Sequence, residues 1–377
     1  MFARRFNVLA GVVAVAALSL SACGSSDSSS SSDGASSDSA GIAEAQAFLD
    51  SYSGNPTGLG WDTPVSKKIP TGKNIVALET PVAVAKLTND YRERAMKLLG
   101  WNMTRIIVGG GPEDPAKAMQ QALDQKPDAI FYAGYDPNSM SAQLADAKAQ
   151  GIPVIAESVP TKNPAIVGDI RNETTNERLG KMTASFVVAD SKGKANVEFF
   201  NVPTQPIIVS YQAAFKKYLA EWCPDCKVNV NDFEFSDIGS NLPGQIVSAL
   251  QRNPKANYVV MGLGDAIVGV DAALQSAGLA DQAKIGGAIP SLANYEALKK
   301  GDPGFWAVDN APFISFRQTD MMARAFVGDD LTKVNESLAP AMVLTSKNIN
   351  DTVFDEDGYW LGYADWENAY KKMWGLS

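Results

Sequence analysis

Residues 114–130, DPAKAMQQALDQKPDAI, together with the FYAG that follows them, decide the fold class of this chain. Apolar residues recur at helical spacing over residues 115–125, and Asp114 is placed to cap that helix. The run AIFYAG at 129–134 is apolar and aromatic and is bounded by Pro, Asp and Gly, which is typical of a buried strand. A helix that leads directly into a buried strand predicts a βαβ unit and a parallel sheet.

The same alternation extends in both directions from this stretch. A first set comprises strands at 74–79, 105–109, 129–134 and 153–157 with helices at 84–99, 115–125 and 137–150. A second set comprises strands at 165–170, 195–200, 227–233, 257–262, 284–289 and 305–310 with helices at about 171–190, 207–222, 242–251, 266–277 and 292–299. Two successive sets of similar size predict two lobes, and the alternative is one sheet of about ten parallel strands, which is uncommon.

The N-terminal segment predicts export and a lipid anchor. Arg4 and Arg5 precede an apolar run at 8–20, which is too short to span a bilayer comfortably and is typical of a secretory signal. LSAC at 20–23 resembles a bacterial lipobox, so we expect a signal peptide at 1–22 and a lipidated Cys23. No large apolar side chain occurs at 24–41, which predicts that residues 23–41 form a tether holding the domain outside the cytoplasm at the cell membrane.

Composition excludes several classes of function. The net charge of −9 argues against nucleic acid and anionic membrane surfaces as partners. The chain has no histidine, which removes the usual general base, most catalytic triads and most zinc sites. A phosphate-binding loop motif is also absent from the sequence. We therefore expect no metal and no cofactor, although chemistry that uses only carboxylates stays open.

The stretch EWCPDCK at 221–227 is similar to a thiol–disulfide oxidoreductase site. In such enzymes the motif follows a strand and begins a helix, whose N-terminus lowers the thiol pKa. Here Cys223 and Cys226 end a predicted helix and precede a predicted strand, where the helix dipole acts in the opposite direction. In an oxidising compartment we expect a structural disulfide at this turn.

Several segments occur in the order typical of one protein family. They are GKNIVALE at 72–79, AMKLLGWN at 95–102, residues 114–130, AKAQGIPVI at 147–155, VGDI with NERLG at 167–180, YQAAF at 211–215 and GDAIVGVDAALQSAG at 264–278. Together they resemble the type I, ribose-binding-like solute-binding proteins of ABC transporters over roughly residues 72–345.

The resemblance implies a two-lobed α/β fold, in which each lobe is a parallel sheet flanked by helices and three crossovers join the lobes. By position the crossovers fall near residues 162–165, 310–312 and 340–344. After an N-terminal extension at 42–71, the first lobe would comprise 72–162 and 312–341, and the second 163–311 and 342–377. It also implies a monomer that binds a small solute and delivers it to an ABC permease with separate ATPase subunits.

Ligand-binding residues are expected where the strands of both lobes end, because open α/β sheets place their sites there. The candidates are Glu79, Thr80, Tyr135, Glu157, Ser158, Asn201, Tyr211, Phe235, Asp265, Ile289, Asp309 and Asn310. Tyr211 and Ile289 stand where the sugar binders of this family carry Arg and Asp. Because those side chains make forked hydrogen bonds to hydroxyls, we expect a ligand with a larger apolar face than a simple aldose.

Two other functions stay open from the sequence. The same fold serves as a ligand-binding sensor module for a membrane receptor, which would close on its ligand in the same way. An extracytoplasmic enzyme could use carboxylates such as Glu79 and Glu157. Chemical turnover of the ligand would separate the enzyme from the two binding functions.

Overall fold

The computed structural model describes residues 37–81, 83–159, 161–309 and 311–376, which belong to one compact unit. The predicted signal peptide, Cys23 and most of the predicted tether lie outside these residues, as does Asn310. Among the described residues, no helix is long and apolar enough to cross a membrane.

The first lobe is built on a sheet of five parallel strands in the order β2-β1-β3-β4-β5. The strands are β1 Asn74–Glu79, β2 Asn102–Ile107, β3 Ala129–Ala133, β4 Val154–Glu157 and β5 Ile166–Ile170. The helices associated with this sheet are α2 Ala83–Leu98, α3 Asp114–Asp124, α4 Ser141–Ala149, α10 Ala311–Val327, α11 Thr332–Glu336 and α12 Trp366–Met373. Side chains alternate between the two faces of each strand, so one face packs on α2, α10 and α12 and the other on α3 and α4.

The second lobe is built on a sheet of six strands in the order β11-β10-β9-β8-β6-β7. The strands are β6 Asn196–Asn201, β7 Lys227–Asp232, β8 Tyr258–Met261, β9 Lys284–Ala288, β10 Phe305–Asp309 and β11 Ala341–Thr345. All neighbours are parallel except β11, which runs antiparallel to β10. The helices are α1 Ser37–Asp50, α5 Glu173–Ser191, α6 Pro206–Trp222, α7 Leu242–Arg252, α8 Val270–Ala277 and α9 Leu292–Lys299, with α1 packed against α5 and α6.

These two sheets confirm the predicted fold class, but they correct where the chain changes lobe. Strand β5 was expected to begin the second lobe, yet it pairs with β4 in the first sheet. The first crossover therefore follows Ile170 instead of lying at 162–165. Helix α12 was expected in the second lobe, but Trp366, Tyr370 and Trp374 pack into the core of the first.

Two local expectations about helix starts are also wrong. The N-cap of α3 is Glu113, while Asp114 lies inside the helix and its Oδ2 accepts a hydrogen bond from the backbone N–H of Gly111 at 2.8 Å. Helix α1 begins at Ser37, inside the predicted tether. Its small residues allow it to dock, because Gly41 packs so close to the backbone of Trp222 that an added Cβ would lie 2.3 Å from the carbonyl oxygen.

The predicted disulfide is confirmed. Cys223 and Cys226 are bonded to each other where α6 ends and before β7 begins. Cys223 is buried among the aromatic side chains under α1 and α6. The bridge therefore closes a helix-to-strand turn inside a packed core.

Candidate ligand-binding cleft

The carboxyl ends of the two sheets meet through one arginine. Arg171 follows the last residue of β5, and Asp309 is the last residue of β10. Arg171 donates from Nε to Asp309 Oδ2 at 2.9 Å and from Nη2 to Oδ1 at 2.6 Å, a forked pair that joins the two lobes. The two residues are only 7% and 4% exposed, so water screens this attraction weakly.

Glu157, at the end of β4, extends this pair into a network. Its Oε1 accepts from Arg171 Nη1 at 3.1 Å, and its Oε2 accepts from Gln318 Nε2 at 3.0 Å and from Arg92 Nη2 at 3.3 Å. Although burial acts to lower it, the pKa of Arg171 is raised by the charges of Asp309 and Glu157 and by their hydrogen bonds. Arg171 is therefore held charged at the junction between the lobes.

Arg92 lies on α2 behind this network and is fully buried. Its guanidinium lies 3.3 Å from the centre of the Phe131 ring, which favours a cation over the ring face. Burial lowers the pKa of Arg92 to about 9, opposed by the charge of Glu157. A buried cation of this kind requires acceptors, and Gln318 and Asn89 provide two of them.

Glu79 and Thr80, at the end of β1, lie near this network. Glu79 Oε2 accepts from Asn89 Nδ2 at 2.8 Å and from Arg105 Nη1 at 3.3 Å. Thr80 is half-buried and donates from Oγ1 to the carbonyl of Ala133 at 3.4 Å. Burial raises the pKa of the neighbouring half-buried Tyr135 hydroxyl.

A cavity of about 80 Å³ lies between the lobes at these strand ends. Its polar lining comes from Arg171, Asp265, Ser291 and Asp309. The rest of the wall is apolar and aromatic and includes Leu87, Leu263, Ile289, Leu292, Tyr295, Tyr359 and Trp360. Small-molecule sites usually measure about 300–1,000 Å³, so the cleft is closed here and must open to admit a sugar-sized ligand.

Backbone strain is concentrated around the cleft. Ser158, Arg171 and Ile289 each follow a strand that ends at the interlobe junction, and their φ angles are 57°, 54° and 50°. Positive φ is unfavourable for residues other than Gly, and such residues cluster at ligand sites where surrounding packing maintains them. The two other residues of this kind among the described ones, Lys126 and Lys192, end helices instead.

Four of the predicted site residues meet in or beside the cavity. Asp265, Ile289 and Asp309 line it, and Glu157 contacts its arginine. Burial raises the pKa of Asp265, and a hydrogen bond with Ser291 opposes that shift. Ser158 lies beside Glu157, and its N–H donates to the carbonyl of Ile170 at 2.9 Å.

Three predicted residues lie elsewhere. Tyr211 is buried in the core of the second lobe and donates to Thr183 Oγ1 at 2.8 Å, because the face of α6 that carries it packs on β6. Asn201 is buried and donates to Asp232 Oδ1 at 2.8 Å, and Phe235 is 39% exposed after β7. Tyr211 therefore lies outside the cleft, whereas the roles of Asn201 and Phe235 in ligand binding stay predictions.

Sequence reasoning missed three polar residues of the site. Arg171 follows a predicted strand, which is a signal that could have identified it. Arg92 and Gln318 lie within helices, and nothing in the pattern distinguishes them from solvated polar residues. Arg171 lines the cavity and contacts Glu157, so the cleft contains a forked donor although Tyr211 stands where the sugar binders carry Arg.

Comparison with known proteins identifies the family. A family model described as periplasmic binding protein domain matches residues 90–330. No curated protein sequence matches the chain.

Solved structures share the fold. An ABC sugar transporter subunit from Rhodobacter sphaeroides has a TM-score of 0.64 and 22% identity, covering 74% of this chain and 99% of its own. The 5-methylthioribose transporter solute-binding protein from Thermotoga lettingae has a TM-score of 0.69 and 16% identity, and the match covers 84% of this chain and 100% of that protein. An ABC transporter solute-binding protein from Agrobacterium vitis, solved with bound allitol, has a TM-score of 0.65 and 19% identity, covering 74% and 98%. The chain belongs to the periplasmic binding protein domain family.

Proposed function

We propose that this protein is the substrate-binding component of an ABC importer and that it binds a small polyhydroxylated solute between its lobes. The observation that carries the proposal is the buried Arg171–Asp309 pair, which joins the carboxyl ends of the two sheets within a solute-binding fold. Open α/β sheets bind ligands at these ends. A charged, forked hydrogen-bonding pair at that place can exchange partners with the hydroxyls of a solute.

Binding would proceed through opening and closing of the lobes. The cavity of about 80 Å³ cannot hold a pentose, so the solute enters an open form in which Arg171 and Asp309 are apart. A solute that contacts both lobes then stabilises a form closed around it, because its affinity for that form exceeds its affinity for the open form. Closure would create the surface that a permease recognises.

The cavity lining favours a solute with one apolar face. Ile289, Leu263 and Tyr359 line the same cavity as the polar side chains of Arg171 and Asp265. Related folds have been solved with 5-methylthioribose and with allitol, solutes of a size and polarity that suit such a lining. We therefore expect a sugar derivative or a polyol in preference to a charged or purely aromatic compound.

The N-terminal segment adds localisation to the proposal. A signal peptide at 1–22 and a diacylated Cys23 would anchor the chain outside the cytoplasm, with α1 following a tether of about a dozen residues. The partners are a permease and separate ATPase subunits, and the protein would act as a monomer. The lipid anchor is inferred from the lipobox-like LSAC sequence, and the partners from the likeness to ABC transporter binding proteins.

A thermal-shift screen tests the binding function. The purified chain is heated with pentoses, hexoses, polyols and 5-methylthioribose, and recovered solute is checked by mass spectrometry. A solute at about 100 times its dissociation constant adds roughly 2.7 kcal/mol, a rise of a few degrees in Tm. At least one solute should raise Tm and be recovered unchanged, while an Asp309→Ala variant should lose the shift. Absence of any shift across the panel, or chemical conversion of the solute, contradicts the proposal.

A further inference from the structure

The C-terminal part of the chain forms a fourth connection between the lobes. After β11 in the second lobe, residues 353–362 form a short hairpin, here called the C-terminal strap, in which Phe354 pairs with Trp360. The strap packs on the second lobe, where Phe354 contacts Tyr295 with ring centres 5.3 Å apart. The chain then continues into α12, which lies in the core of the first lobe.

Hydrogen bonds of Asp355 hold the strap in shape. Asp355 Oδ1 accepts from the backbone N–H groups of Asp357 at 3.0 Å and of Tyr359 at 2.8 Å. Gly358 closes the same turn with a φ of 86°, a conformation that favours glycine. The turn of the strap is therefore stabilised from within by the Asp355 carboxylate.

The same carboxylate ties the strap to the first lobe. Tyr91 on α2 is buried, and its hydroxyl donates a hydrogen bond to Asp355 Oδ2. Because α2 also carries Leu87, one helical turn from Tyr91, into the cavity wall, this bond joins the two lobes on the helix that borders the cavity. Opening of the lobes must break it or carry the strap with α2.

The strap also supplies part of the cavity wall. Tyr359 and Trp360 both line the cavity. Trp360 is buried and its Nε1 donates to Thr352 Oγ1 at 2.8 Å, so it is fixed. Tyr359 is half-buried, and within the described residues its hydroxyl has no hydrogen-bond partner. Tyr359 is thus positioned to contact a ligand with both its ring and its hydroxyl.

The strap lies outside the part of the chain that defines the family. The family model ends at residue 330, whereas the strap begins at 353. We propose that the C-terminal strap is a specificity-determining wall of the cleft: Tyr359 contacts the apolar face of the solute, and the Tyr91–Asp355 bond couples the strap to closure. This inference rests on the proposed function and names the segment that selects among solutes.

Calorimetric titration of the full chain with three probes tests the wall: 5-methylthioribose, ribose and allitol. Tyr359→Ala should lower the affinity for 5-methylthioribose by about tenfold or more and the affinity for allitol by less, because the aromatic contact matters most for an apolar substituent. Tyr359→Phe keeps the ring and should retain most of the discrimination. Binding of all probes by Tyr359→Ala with wild-type affinities overturns the specificity role, whereas failure of the wild type to bind any solute of the thermal-shift panel refutes the proposed function itself.

Hydrogen exchange without ligand tests the coupling. Tyr91→Phe removes only the hydroxyl that bonds Asp355, and the matched control Tyr363→Phe removes a half-buried tyrosine hydroxyl of the C-terminal region that lies outside the strap. Amides of the strap should exchange at least several-fold faster in Tyr91→Phe than in the control, because loss of the tie makes local opening easier. Equal exchange in both variants overturns the coupling, and this readout does not depend on which solute is bound.

Discussion

Replacement of Arg171 by methionine removes the bond between the lobes while keeping a side chain of similar length. The variant loses two hydrogen bonds to Asp309 and one to Glu157. Glu157 keeps Gln318 and Arg92, whereas Asp309 loses the forked partner that neutralises it at 4% exposure. The cost therefore falls mainly on Asp309.

Removal of one partner from a buried pair costs about 3–5 kcal/mol when the other charge stays buried. Here the lobes can open and return Asp309 to water, so the cost falls on the closed form and unfolding is affected less. A loss of about 3 kcal/mol changes the ratio of closed to open molecules by roughly 100-fold or more. We therefore expect Arg171→Met to populate the open form.

Small-angle X-ray scattering without ligand measures this change as an increase in the radius of gyration. Arg252→Met is the matched control, because Arg252 is exposed at the end of α7. Asp309→Asn should open the lobes similarly, and the double variant should add little, since both changes break the same pair. Scattering of Arg171→Met that coincides with that of the wild type and of Arg252→Met would show that the Arg171–Asp309 pair does not hold the lobes closed.

Three further predictions concern stability. Burial, aided by the charge of Glu157, raises the pKa of Asp169 from 3.8 to about 7, so the folded chain holds a proton that the unfolded chain has lost and its stability falls as pH rises through this range. The urea midpoint should therefore fall less between pH 5 and pH 8 in Asp169→Asn than in the wild type, and an unchanged pH dependence contradicts this assignment. Gly41→Ala should lower the Tm, although alanine favours helices by about 1 kcal/mol, because the methyl group collides with the carbonyl of Trp222 and displaces α1; a higher Tm in calorimetry would show that α1 tolerates the contact. A double Cys223→Ser, Cys226→Ser variant should lose about 2 kcal/mol in urea unfolding and keep solute affinity, and loss of binding would contradict a purely structural role.

Much of the fold could be predicted because its signals are local. Alternating helix and strand patterns placed β1, β3 and β4 within one or two residues, since burial on both faces makes these strands continuous apolar runs. The lobe to which β5 belongs could not be predicted from local patterns. Strand pairing is a contact between distant segments, and the same run can extend one sheet or begin another.

The site was predicted only in part for a similar reason. The strand-end prediction included Glu157, Asp265, Ile289 and Asp309, which lie together at the candidate cleft because the topology places such ends together. Tyr211 was predicted in the cleft, but it faces the core of the second lobe, where its hydroxyl bonds Thr183. Successive residues of a helix point about 100° apart, so an error of one residue in aligning α6 is enough to exchange the core-facing and cleft-facing positions. The strap depends on how a C-terminal segment folds back between lobes, for which the sequence carries no local signal.

A crystal structure of the full chain with the solute that most raises Tm tests the central claim most directly. We expect a solute between the lobes, with its hydroxyls bonded to Arg171 and Asp265 and its apolar face against Tyr359. Solute bound elsewhere, for example in the groove of about 700 Å³ beside Asp169 at the edge of the first sheet, with the Arg171–Asp309 pair intact, would contradict it.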